Sequence, residues 1–221
     1  MNNWFNKPQW LHSRAGKPPR ASVLVKQLAE RDRRRMHRHF MELDMNDRLL
    51  RFGTMLPDER VAAYVAGIDF ERDTLYGVYN RMFRLVAVGH LAFAPKQALP
   101  PGEAATDKER IAEFGVSVSR SARGRGMGSK LFERAAIHCR NNDVDTLYMH
   151  CLASNQTMMH IAKKAGMAIL RDRSEADAYL KLPPPNPSSM LQEAIEEQVA
   201  TLDYTFKANT RAAVKFFEAK R

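Results

Sequence analysis

The stretch Val116-Ser-Val-Ser-Arg-Ser-Ala-Arg-Gly-Arg-Gly-Met-Gly-Ser-Lys-Leu131 restricts this chain more than any other part of it. An alternating apolar run ends there, Gly124, Gly126 and Gly128 take side chains off the backbone, and an amphipathic helix begins. The first N–H groups of such a helix have no intrahelical acceptor, and the aligned peptide dipoles add positive partial charge, so a phosphate is the natural partner of the junction. Glycines let a bulky diphosphate approach the main chain closely. Arg120, Arg123, Arg125 and Lys130 bring formal charge to the same place. Two common nucleotide motifs fit poorly. A dinucleotide turn needs G-x-G-x-x-G and a P-loop needs G-K-[ST] after four spacers, whereas these glycines alternate strictly. Taken alone, the glycines leave phosphate binding and a merely tight turn both open.

The surrounding residues predict an α+β fold: a mixed, mostly antiparallel sheet of about six or seven strands, flanked by helices and followed by a long C-terminal helix. Ser22 to Leu28 has the aliphatic content of a first strand. Helical spacing sets in near Glu30, with Met36, Phe40 and Leu43 on one face and the arginines largely on the other. Short helices are expected over Asp47 to Phe52 and from Pro57. Extended runs follow at Thr74 to Tyr79, Phe83 to Phe93 and Ile111 to Ser119. The spacing predicts a tight turn at Asn80-Arg81 between the first two, and a proline-rich loop over Ala94 to Lys108 before the third. Leu131, Ala135 and Cys139 mark the buried stripe of the helix after the glycines. A strand over Asp145 to Ala153, a helix over Gln156 to Lys164 closed by Gly166, and strands at Met167 to Leu170 and Ala176 to Leu182 complete the domain.

The chain divides into a flexible basic leader (1–21), a domain (22–182), a linker with four prolines (183–189) and an amphipathic helix (190–221). In that helix Leu191, Ile195, Val199, Leu202, Phe206, Ala213 and Phe217 recur at helical spacing. The stripe is expected to pack back on the domain, with self-association into a homodimer as the alternative. The first forty residues hold ten Lys and Arg against two acidic residues, most of the net charge of +10. A solvated tail is preferred to a nucleic-acid arm for this segment. No run approaches the roughly 18 apolar residues of a membrane span, and the N-terminus lacks a secretory h-region, so the expectation is a cytoplasmic protein. Cys139 and Cys151 are read as small buried hydrophobes, with neither a disulfide framework nor a metal spacing between them.

Arg123-x-x-Gly126-x-Gly128 is similar to the (Q/R)-x-x-G-x-(G/A) signature of the GNAT superfamily, and Leu152-Ala-Ser-Asn155 through Ala165-Gly166-Met167 resembles its second landmark. The likeness covers roughly Val23 to Leu182. Within the superfamily, Asp47-Arg-Leu-Leu-Arg-Phe52, Ala112-Glu113-Phe-Gly-Val116 and Asn155-x-x-Met158 look like the acetyltransferase domain of bacterial protein lysine acetyltransferases. The resemblance implies acetyl-CoA as co-substrate. Its pantetheine arm would lie along Val116, Ser117 and Val118, and its diphosphate on Arg123, Gly124, Arg125, Gly126, Met127, Gly128 and Ser129. Asn155 would touch it from the neighbouring strand end, and could equally cap the helix at Gln156.

Acetyl transfer to an amine needs that amine neutral, and a lysine of pKa near 10.4 is only about one part in a thousand neutral at pH 7.4. A base must relieve that handicap of roughly 4 kcal/mol. Glu113 is the candidate. It corresponds to the glutamate of the similar motif, on the opposite face of its strand from Ala112. Many GNAT members place a proton-donating tyrosine seven residues after the asparagine, where this chain has Ala162. The acceptor is expected to be a protein lysine or a small amine. A scaffold that senses acyl-CoA or docks a partner without catalysis is the alternative.

Overall fold

The computed structural model describes residues 23–93 and 110–220. The leader and the loop expected over Ala94 to Lys108 lie outside them. Seven strands form one sheet in the order β1-β2-β3-β4-β5-β7-β6. They are β1 (Lys26–Gln27), β2 (Thr74–Tyr79), β3 (Leu85–Phe93), β4 (Ile111–Val118), β5 (Thr146–Leu152), β6 (Ala168–Asp172) and β7 (Glu175–Lys181). All neighbours are antiparallel except β4 and β5. Three helices, α1 (Arg33–Met41), α2 (Met45–Phe52) and α3 (Asp58–Ala66), precede β2. Next come α4 (Met127–Asn141) and α5 (Gln156–Ala165), and α6 (Pro187–Glu218) closes the chain. This is the mixed α+β architecture expected from the strand and helix runs.

Alternation along the strands builds two cores, one on each face of the sheet. Ala112, Phe114, Leu147 and Met149 point toward α4 and α5, where they meet Leu131, Ala135 and Cys139, all three fully buried. Leu75, Val88 and Tyr79 point the other way, toward Met36 and Phe40 of α1 and Val61 and Val65 of α3. Burying such side chains contributes about 1.5–3 kcal/mol each, and this holds the helices to the sheet.

Several local expectations are corrected. The first strand shrinks to two residues, because pairing ends where Leu28 N–H bonds the Leu75 carbonyl and Glu30–Asp32 coil into a 3₁₀ turn. The turn between β2 and β3 is longer than Asn80-Arg81. Asn80 Oδ1 accepts from Met82 and Arg84 N–H at 3.0 and 2.9 Å, and Phe83 takes φ 57°. That conformation brings the Phe83 ring into the core, 4.9 Å from Tyr79, and delays β3 to Leu85. The last helix starts at Pro187, inside the stretch read as linker, because Asn186 caps it by accepting from Ser189 N–H at 2.8 Å and Pro187 suits a first helical turn.

The largest correction is the direction α6 faces. Its apolar stripe points outward, with Leu202 71% and Phe206 73% exposed, while its polar face packs on the domain. The cause is Arg134 of α4, 1% exposed, whose guanidinium lies 2.9 Å from Glu193 and 3.5 Å from Glu197. Lys26 pairs with Glu197 at 2.5 Å, Lys130 with Glu196 at 3.3 Å and His138 with Glu193 at 2.7 Å. Farther along, Tyr204 and Tyr79 both donate to buried Asp32, at 2.9 and 2.8 Å. A buried guanidinium without a counter-charge is far more costly than exposed leucine, so the glutamates decide which face turns inward. Among the described residues, no helix is long and apolar enough to cross a membrane.

Candidate functional site

The parallel pair β4–β5 is where the sheet opens. Residues pair across it only at Ile111↔Thr146, Ala112↔Leu147 and Glu113↔Tyr148. Beyond Glu113 the strands separate, although β4 stays paired with β3 to Val118 and β5 with β7 to Leu152. The β5-facing backbone groups beyond Glu113 thus have no strand partner, the Val118 carbonyl being taken by Arg123 Nε–H, and extended backbone with free amides takes up strand-like ligands.

Below this gap Ser119 leads into a 3₁₀ turn (Arg120–Ala122) and the glycine segment. Gly124 and Gly126 take φ 74° and 76°, and a Cβ on either would meet nothing within 4 Å. Glycine is therefore demanded by backbone conformation, and the space beside it is open. Gly126 is the N-cap of α4 and offers no side-chain acceptor, whereas α2, α5 and α6 are capped by Asp44, Asn155 and Asn186. The first amide of α4 to find an intrahelical acceptor is that of Lys130, on the Gly126 carbonyl, so the amides of Met127, Gly128 and Ser129 form an uncapped cluster at the positive end of a 15-residue helix. The expected site residues from Val116 to Ser129 thus lie on one continuous ledge, from the splayed edge of β4 to the uncapped amides of α4.

The charged side chains divide. Arg123 donates Nε–H to the Val118 carbonyl at 3.2 Å and pairs with Asp47 at 2.5 Å, which ties the ledge to the start of α2. Lys130 is drawn toward α6 by Glu196. Arg120 and Arg125 remain exposed beside the glycines. Asn155 Oδ1 caps α5 by accepting from Met158 N–H at 3.1 Å, and its Nδ2 donates to the Leu50 carbonyl at 3.2 Å. Its side chain therefore fastens α5 to α2, across the open end of the gap.

Glu113 stands at the last position where β4 pairs with β5, exposed, on the face opposite Ala112, which is fully buried against α4. Gathered on the Glu113 side is a polar cluster that sequence reasoning missed. Asp73 and His90 Nε2 are 3.0 Å apart, His90 Nδ1 and Tyr64 Oη 2.7 Å, and Arg51 Nη2 donates to Tyr64 Oη at 3.0 Å. The Arg51 guanidinium lies flat on Gly115, where an added Cβ would come within 2.6 Å of it. Burial pushes the Tyr64 hydroxyl pKa up, and burial pulls that of His90 down against the opposing effect of Asp73. Tyr148, register partner of Glu113, donates to Asp177 at 2.6 Å, and burial with that bond raises its pKa. These residues come from α2, α3, β3, β5, β7 and the segment just before β2, so no local pattern announces them. Behind the ledge His39 lies between Ser117 Oγ at 2.8 Å and Ser119 Oγ at 3.2 Å. Burial depresses its pKa to about 4, so the ring is neutral. Ala162 is buried in the α5 core and presents no proton donor. Among the described residues no cluster of His, Cys, Asp and Glu could hold a metal.

The acetyltransferase (GNAT) family model matches residues 24–167. No individual curated protein matches by sequence. Among solved structures, the GNAT domain of the S. lividans protein PAT is similar at 18% identity, covering 72% of this chain and 89% of that one with a TM-score of 0.57. Spermidine N-acetyltransferase from Vibrio cholerae, solved with CoA and spermine, matches at 17% identity over 72% and 95% of the two chains, with a TM-score of 0.53. The ribosomal L7/L12 alpha-N-protein acetyltransferase RimL, solved with CoA, matches at 14% identity over 74% and 97%, with a TM-score of 0.52. Identities this low speak for the fold.

Proposed function

Since the chain belongs to the acetyltransferase (GNAT) family, we propose that it moves an acetyl group from acetyl-CoA to a primary amine, of a protein lysine or of a small molecule, by direct attack on the thioester. The observation that carries this reading is the opening of the sheet beyond Glu113, directly above the uncapped amides of α4. Gly115 to Val118 would pair with the pantetheine arm, and the amides of Gly124 to Ser129 would hold the diphosphate. The amine nitrogen attacks the carbonyl carbon, the carbon–sulfur bond breaks, and CoA leaves as thiolate. The proton released from nitrogen passes to Glu113, directly or through water. A thiolate of pKa near 8.5 leaves without full protonation, so the buried Ala162 is no barrier to the reaction. A backbone N–H of Val116 to Val118 polarises the carbonyl, an arrangement that side-chain changes do not reveal. Two free cysteines and the absence, among the described residues, of a helix able to cross a membrane favour the cytoplasm as the place of work.

Replacing Glu113 by Gln is expected to slow turnover about 10²-fold or more, with CoA affinity nearly constant. Unchanged turnover removes Glu113 from the mechanism. Ala162 favours a second reading, a scaffold that binds acyl-CoA without transfer. Acetyl-CoA binding with no thiol release across a panel of lysine peptides, polyamines and amino sugars would select it.

A further inference from the structure

Beyond Ala208 every residue of α6 is exposed, from Asn209 through Glu218. About three turns of helix therefore extend past the domain, with Phe216 and Phe217 exposed at their end. A helix that short is marginal in water without a packed face. The outward stripe of the docked part continues straight into this overhang. Val199, Leu202, Phe206, Asn209, Ala213 and Phe216 alternate spacings of three and four, the heptad pattern that keeps one seam on one side of a helix. Nine of the exposed large hydrophobic residues of the described chain lie on α6, from Met190 to Phe217. They present an apolar surface on the order of 900 Å², larger than the patch a typical monomer leaves in water.

We propose that α6 pairs antiparallel with α6 of a second copy of this chain, so that the overhang of each lies on the docked half of the other. The overhang supports this occupant and this direction. The glutamates of the docked half are engaged with the domain on the opposite face, so the outward stripe itself is apolar from Leu191 to Phe206. Antiparallel pairing lays the unsupported turns of each helix on that stripe of the other, whereas a parallel pair would leave both overhangs beyond the two domains. The surface is also the right size, since a stable interface needs about 800 Å² from each partner. Because the two-fold arrangement uses the same stripe twice, it closes as a dimer. Midway along the stripe the contact falls between Leu202 and Phe206, Val199 faces Asn209, and Ile195 faces Ala213. The single polar Asn209 in the seam fixes the register. This inference stands independently of the proposed reaction.

Sedimentation equilibrium of the full chain is expected to give twice the chain mass of 25.2 kDa. The double variant Leu202→Glu, Phe206→Glu is expected to weaken association at least ~100-fold. Both side chains are exposed in the single chain, so the domain should stay folded and helix should be lost only from the overhang past Ala208. Direction is read by thiol cross-linking. Ile195→Cys mixed with Ala213→Cys should cross-link, and neither variant should do so alone. A monomer at concentrations up to about 100 µM, a dimer that survives the double variant, or cross-linking of Ile195→Cys with itself each overturn the proposal. So does a monomer that uses this stripe to bind phosphatidylserine vesicles.

Discussion

Replacing Glu193 by Gln tests the reason α6 faces as it does. Burial works against the Glu193 carboxylate, but His138, Asn141 and Arg134 more than offset it and hold its pKa down to about 2 against an ordinary 4.5. A separation of that size corresponds to about 3 kcal/mol of stability, in line with roughly 3–5 kcal/mol for stripping one partner from a buried ion pair. Arg134, 1% exposed, would keep only Glu197 at 3.5 Å. Since the folded pKa is depressed, this stabilisation is complete above pH 4.5 and fades as pH falls toward 2. At pH 3 the wild type should have lost about 2 kcal/mol of it and the variant none. Hydrogen exchange of α6 amides, corrected for intrinsic rate, reads the result. At pH 7 the variant should exchange about a hundredfold faster than wild type, and at pH 3 the ratio should shrink to about tenfold. Equal ratios at the two pH values would show that the Glu193 charge does not fasten the helix.

Two shorter tests address the site. His39, held neutral with a pKa of about 4, should show no protonation by NMR above pH 5, and its contribution of about 3 kcal/mol should be lost between pH 6.5 and 4; titration near pH 6.5 would contradict its burial between Ser117 and Ser119. Gly115→Ala displaces the flexible end of Arg51 rather than backbone, so it should cost only about 1 kcal/mol in thermal denaturation while loosening Tyr64. A loss above about 3 kcal/mol would mean that Arg51 is rigidly held.

What was legible followed from short-range patterns. The extent of β2 and the α4 stripe of Leu131, Ala135 and Cys139 are local periodicities that tertiary packing preserved. Gly124 and Gly126 marked the turn before α4 and Gly166 the end of α5, and all three take left-handed backbone, which few other residues adopt freely. The orientation of α6 was not legible, because it depends on a buried charge in α4, some 60 residues earlier. One signal was present: Glu193, Glu197 and Ala200, spaced four and three apart, share the face opposite the leucines, and two like charges four apart repel unless a cation lies beside them. The cluster of Asp73, His90, Tyr64 and Arg51 is assembled by the sheet from distant segments, and none of its members carries a local motif.

The central claim is that main-chain amides at the start of α4 hold a diphosphate, and calorimetric titration of CoA into the wild type and Gly126→Leu tests it most directly. An added Cβ at Gly126 meets nothing of the protein within 4 Å. The variant should therefore fold with a penalty of only about 1–2 kcal/mol from its left-handed backbone, while losing CoA affinity by at least ~10-fold as the side chain fills the ligand's space. A wild type without CoA affinity, or a variant that binds CoA as tightly as the wild type, would contradict the account.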